Sequence, residues 1–178
     1  DVVRSYKELS TPTRNMKGRS NVSELSEEMT HKEAKLKLTT QYATHDRSVP
    51  ARPQFRKWVK AALMQDAEIV LRIVDEPEGR SLNQDFRGGD YATNVLTFVY
   101  NHTQPLSGDI VLCAPVIVKE AGQQNKSLAA HYAHLTVHGV LHLQGYDHDN
   151  DASAMVMEQL ETEVVMRLGY NDPYKDIS

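Results

Sequence analysis

Eleven residues, His138 to His148, read HGVLHLQGYDH and set the tightest constraint on how this chain folds. The spacing is H-x-x-x-H followed by H-x-x-G-x-x-H. Residues four apart share one face of an α-helix, so a helix here presents the imidazoles of His138 and His142 side by side. Gly145 follows, and glycine is the usual residue where a helix ends in a left-handed turn. The chain then reverses and returns His148 toward the other two. Three neutral imidazoles on a short frame make a transition-metal site with one position open. That is the catalytic pattern, because structural zinc sites are closed by four protein ligands. A lone histidine on an apolar face is ordinarily a satisfied core residue, but three at this spacing around a glycine are not explained that way. The outline matches the extended zinc-protease motif H-E-x-x-H-x-x-G-x-x-H, with one difference. The glutamate that serves there as general base is Gly139 here. Glycine has no proton acceptor, so a peptidase mechanism loses its base.

The remaining chemistry is bounded by composition. Five of the eight histidines fall between His131 and His148. His131 and His134 share the stripe of His138, which suits structural roles first and support of the metal ligands second. Cys113 is the only cysteine, which excludes an intrachain disulfide framework and fits a reducing cytoplasm. It lies in an apolar run and reads as a buried, inert thiol. The formal net charge of −4 does not mark a nucleic-acid binder by itself. No run approaches the ~18 apolar residues of a membrane span, and no secretory signal pattern opens the chain.

Residues 1–34 are poor in apolar side chains and read as a weakly structured extension or attached segment, with a short helix possible around residues 23–36. Asp1, not methionine, opens the chain, which fits a trimmed start; no function is assigned to this segment. Residues 35–178 read as one domain. Lys35–Tyr42 alternates as a half-buried edge strand. Pro53–Met64 has a helical stripe of Phe55, Trp58, Val59, Ala62 and Leu63. It also carries Arg52, Arg56, Lys57 and Lys60, a basic strip that reads first as a solvated face and second as one turned toward RNA. Glu68–Asp75 is a β-branched strand, and Pro77 to about Phe86 a short helix with Leu82 and Phe86 inward. Val95–Tyr100 is a strand, residues 101–108 a loop, Asp109–Cys113 a strand, and Pro115 to about Gln124 a helix. Ser127 caps a helix running to about Gln144, apolar all round and therefore buried. Asp149 or Asn150 starts the last helix, with a stripe of Ala152, Met155, Met157, Leu160, Val164 and Leu168. This order predicts an α+β fold: a small mixed sheet packed with helices, with a buried central helix carrying the three-histidine metal site.

HGVLHLQGYDH, FRGGDYATNVLTF, GDIVLC with the following KEA, and the ending LGYNDPY together resemble the YbeY family of bacterial metal-dependent endoribonucleases, over about residues 35–175. The resemblance implies that His138, His142 and His148 are ligands to one Zn2+ per chain, other divalent transition metals being possible. It implies that Arg87 and His138 act in catalysis, with Arg87 holding a phosphodiester bidentately. Gly89 stands where the family often has lysine. Asp147 and His134 are candidates to support the ligands, Asp147 by orienting an imidazole through its second nitrogen. The implied activity is metal-assisted cleavage of single-stranded RNA in ribosomal RNA maturation, at the 16S rRNA 3′ end, and in ribosome quality control. The implied partners are RNA and the ribosome or its associated proteins, in the cytoplasm, with no membrane and no DNA.

Two other functions fit part of the pattern. One is a different metallohydrolase, against which Gly139 argues for the peptidase case. The other is a ribosome-associated module with a structural zinc, which needs a fourth ligand such as Cys113.

Overall fold

The computed structural model describes residues 33–102 and 104–175. The expected extension up to residue 32, with most of its possible helix, lies outside the described residues. Leu36, the last residue of that helix, opens a strand instead.

Two apolar runs form the centre of the sheet. Ala67–Val74 (β2) and Leu106–Cys113 (β4) pair in parallel, from Ala67 opposite Leu106 to Val74 opposite Cys113. Leu36–Ala43 (β1) lies parallel to β2, and Val95–Asn101 (β3) antiparallel to β4, in the order β1-β2-β4-β3. The sheet is mixed, as the sequence predicts, and β1 is an edge. β4 begins earlier than expected because Leu106 to Gly108 continue the pairing with β2 within the presumed loop.

Side chains alternate across the sheet, which produces two separate apolar clusters. On one face, Ile69, Leu71, Ile73, Ile110 and Leu112 pack with Phe55, Trp58 and Val59 of helix α1 (Arg52–Ala62). The same cluster takes in Tyr132, Val137, Val140 and Leu141 of helix α4 (Leu128–Leu143). Each fully buried side chain of this size contributes about 1.5–3 kcal/mol. On the other face, Val74, Leu96, Val111 and Cys113 pack with Leu82 of helix α2 (Glu76–Arg87), Phe98, and Val116 of helix α3 (Ala114–Gln123).

The central helix, α4, is capped by Ser127, whose hydroxyl accepts from the Ala130 N–H at 3.1 Å. Two glycines let it lie close on β4. A Cβ on Gly139 would stand 3.2 Å from Ile110, and one on Gly108 would stand 2.8 Å from Leu143 and from the Phe98 carbonyl. Helix α5 (Asp151–Arg167) starts in a reciprocal capping box between Asn150 and Ser153. Its buried residues are Met157, Glu161, Val164 and Val165. Met155, expected on that face, is 70% exposed. Ala152, expected there too, is likewise exposed, and the buried face begins at Met157.

Candidate metal centre

The last two turns of α4 carry His138 and His142, with parallel rings 6.3 Å apart between centroids and tilted by 10°. After the helix, Gly145 takes the left-handed conformation at φ 100°, and the loop brings His148 to 5.7 Å from His138 and 6.0 Å from His142. All three histidines singled out in the sequence therefore meet. The tightest group of donor atoms is His142, Asp147 and His148, whose ligand atoms lie within 4.8 Å of one another. His138 is outside that limit, its ring engaged by the Glu161 carboxylate.

Each imidazole has its Nδ1 turned toward an oxygen. His142 Nδ1 donates to the Tyr146 carbonyl at 2.9 Å, which leaves the Nε2 lone pair free. His138 Nδ1 donates to the Glu161 carboxylate, with the same consequence. His148 Nδ1 is 3.7 Å from Asp147, an ion-pair distance rather than a hydrogen bond. Burial, above all, lowers the pKa of His142, opposed by its bond to Tyr146; the neutral ring is the form that binds metal. Burial disfavours the Asp147 anion, but the His148 N–H, Asp149 and the charges of His142 and His148 outweigh it, and its carboxyl lies below the ordinary range. Asp149, hydrogen-bonded to Asp147 and repelled by it, is pushed the other way. Three imidazoles and a carboxylate, two of the imidazoles with fixed tautomers, are a donor set suited to a divalent transition metal.

Behind the histidines lies a group absent from the sequence expectations. Glu161 of α5 is fully buried. It accepts from Tyr174, from His138, and from His134 Nε2 at 3.4 Å. Burial alone raises its pKa; the bonds from His134 and His138, the charge of His138 and the bond from Tyr174 outweigh that and hold it down to about 2. Burial and the same carboxylate raise the Tyr174 phenol, which keeps it a donor. His134 thus sits behind His138, joined to it through Glu161. His131 is separate, bonded through Nε2 to Glu120 at 3.0 Å. The signal for Glu161 was in the sequence: it lies four residues after Met157 and three before Val164, an acid inside an apolar stripe.

Arg87, the last residue of α2, is exposed. Its Nη2 donates to the Thr97 carbonyl at 3.0 Å, and its guanidinium lies 5.8 Å from the Phe98 ring centre. The nearby Asp90 is bonded by Arg80, at 2.8 Å. The bond to Thr97 uses one of the five N–H donors of the Arg87 fork. Gly139 faces Ile110 on the sheet, and any side chain there needs Ile110 to give by a few tenths of an ångström. Cys113 belongs to the apolar cluster on the far face of the sheet from α4, so it does not complete a structural zinc site.

The family model described as "Endoribonuclease YbeY" matches residues 39–169. A protein of Nitrosomonas europaea named Endoribonuclease YbeY is 61% identical over 92% of this chain and 97% of its own length. Proteins of the same name from Nitrosospira multiformis and Nitrosomonas eutropha are 63% and 64% identical, over 80% and 77% of this chain and 84% and 97% of theirs.

Proposed function

Since the chain belongs to the YbeY family of endoribonucleases, we propose that it is a zinc-dependent endoribonuclease that cuts single-stranded RNA in the maturation of ribosomal RNA, at the 16S rRNA 3′ end, and in ribosome quality control. The observation that carries this reading is the convergence of His138, His142 and His148, with two of the three rings held through Nδ1 so that Nε2 is free.

In this reading the three histidines hold one Zn2+, or another divalent transition metal. The bound metal supplies Lewis acidity toward a phosphoryl oxygen of the RNA. Glu161 keeps His138 in the Nδ1–H tautomer and stops its ring from turning, and His134 and Tyr174 keep Glu161 ionised and in place. Asp147, 3.7 Å from His148 Nδ1, orients that ring. Arg87 binds the scissile phosphodiester through the free side of its fork and offsets charge as the transition state forms. His138 also borders the reacting phosphate. α4 contributes no carboxylate base, because Gly139 is turned into the sheet. Placement in the cytoplasm, with the ribosome or its associated proteins supplying specificity, accords with a net charge of −4 and with described helices none of which is long and apolar enough to cross a membrane.

The test is cleavage of single-stranded RNA by the purified protein beside His142→Ala and Arg87→Ala, with metal content measured on each. Loss of cutting in both, with metal lost only from the histidine variant, is the expected result. Equal cutting by all three overturns the assignment. A 2′,3′-cyclic phosphate on the product would identify the RNA 2′-hydroxyl as the nucleophile.

A further inference from the structure

Helix α1 carries four basic side chains, Arg52, Arg56, Lys57 and Lys60, and no acidic one. All four are exposed, and among the described residues no carboxylate forms an ion pair with any of them. Such a run on a chain of net charge −4 concentrates positive charge in one place.

Where the strip lies matters more than its charge. The C-terminal end of α1 is fastened to the metal loop. Gln144, two residues beyond His142, donates to the Ala62 carbonyl at 2.8 Å and accepts from the Met64 N–H at 2.7 Å. The Tyr146 hydroxyl, from the residue whose carbonyl holds His142, reaches Met64 Sδ at 3.6 Å. The strip therefore starts beside the loop that carries His148. Lys60, Arg56 and Arg52 follow on one helical face, about 6 Å apart along the axis. It ends at an open groove of about 520 Å³ lined by Leu38, Thr39, Thr40, Arg52, Pro53 and Arg56. There the Arg52 guanidinium lies 4.9 Å from the centre of the partly exposed Tyr42 ring, a flat arginine–aromatic surface of the kind on which bases stack.

Resting on the nuclease reading above, we propose that α1 and the adjoining edge of β1 bind the sugar–phosphate backbone of single-stranded RNA flanking the cut. Lys60, Arg56 and Arg52 contact successive phosphates away from the metal, and the surface of Arg52 and Tyr42 receives a base. A peptide strand added to the β1 edge suits the site less well. Arg56 and Arg52 already donate to the outward carbonyls of Leu36 and Thr40, at 3.3 and 3.4 Å, and so block a ladder there. Each arginine spends one N–H in doing so and keeps the rest for phosphate.

The test compares the full-length wild-type protein with Arg56→Gln, Lys60→Gln and the double variant. Lys119→Gln on α3, alone and combined with Arg167→Gln on α5, both positions exposed, is the control for the loss of one and of two charges. Binding to a long unstructured RNA and to a short one that spans only the metal pocket is followed by fluorescence anisotropy across a salt series, with gels confirming uncut RNA. Cleavage of both and metal content are measured alongside. The double variant is expected to bind long RNA several-fold more weakly, with a salt slope shallower by about 1.4, roughly 0.7 for each phosphate no longer neutralised. Metal content and cleavage of the short RNA stay at the wild-type level. Lys60 makes no bond to the β1 edge, so Lys60→Gln keeps the test valid if Arg56→Gln disturbs the edge. A double variant with the affinity and slope of the paired control Lys119→Gln/Arg167→Gln overturns the proposal while short-RNA cleavage leaves the nuclease reading standing. Strip-dependent binding without cleavage of either RNA supports the strip and overturns the nuclease reading.

Discussion

Glu161→Gln tests whether the buried carboxylate governs the metal centre. One carboxylate oxygen accepts from His138, and the other from His134 and Tyr174. Glutamine keeps the shape but presents one acceptor and one NH2 group. Whichever way it turns, one side faces a donor with a donor. The loss is about one charge-assisted hydrogen bond, on the order of 1.5–3 kcal/mol. Loss of such an outer partner of a metal-binding histidine typically weakens metal affinity by about 10–100-fold. At about 1.4 kcal/mol per tenfold that spans about 1.4–2.8 kcal/mol, so the two estimates agree. The expected outcome is a Zn2+ dissociation constant raised about 10–100-fold, read by competition with a chromogenic chelator, with the native circular dichroism spectrum retained. Exposed Glu163→Gln makes the same change of charge two residues away and should leave the constant unchanged. A folded Glu161→Gln protein that binds Zn2+ within about twofold of wild type refutes the reasoning.

Glu161 also predicts a pH dependence of the metal-free protein. Its folded pKa, about 2, lies below the ordinary 4.5, so its contribution is complete above about pH 4.5 and is lost as pH falls through about 2. The contribution is at most about 3 kcal/mol, and acid titration of Glu161→Gln should lack this component. Gly108→Ala brings a Cβ to 2.8 Å from both Leu143 and the Phe98 carbonyl; a loss of about 1–3 kcal/mol is expected in urea melts. Leu143→Ala should not rescue it, because the carbonyl remains. Asn150→Ala removes the side-chain acceptor for the Ser153 N–H at 2.9 Å and should cost about 1 kcal/mol in thermal denaturation, through the helix that carries Glu161.

The parts legible in the sequence were those set by local rules. The period-two runs became strands, Ser127 and Asn150 became caps, and the spacing around Gly145 brought three imidazoles together. What local rules could not supply depends on distant pairing. Leu106 to Gly108 look like a loop after Pro105 and become strand only because β2 stands beside them. Met155 fits a helical stripe, yet it is exposed and the buried face of α5 begins at Met157. Glu161 was hidden for a related reason. A carboxylate on an apolar stripe is a defect until His134, His138 and Tyr174 arrive from 27, 23 and 13 positions away. Tyr174 itself, near the end of the described chain, has no local pattern that points inward.

The packing of Gly139 on Ile110 also bears on descent. The histidine spacing here differs from a metalloprotease motif by one letter, and on paper a single codon change separates the two. In the folded chain that letter is pressed against a strand, with no room for even a Cβ at ordinary packing distance. A chain exchanging one chemistry for the other must also let the Ile110 side chain give by a few tenths of an ångström, or shift α4 on β4. The two sequences are one letter apart on paper, but that letter sits where the central helix presses on the sheet.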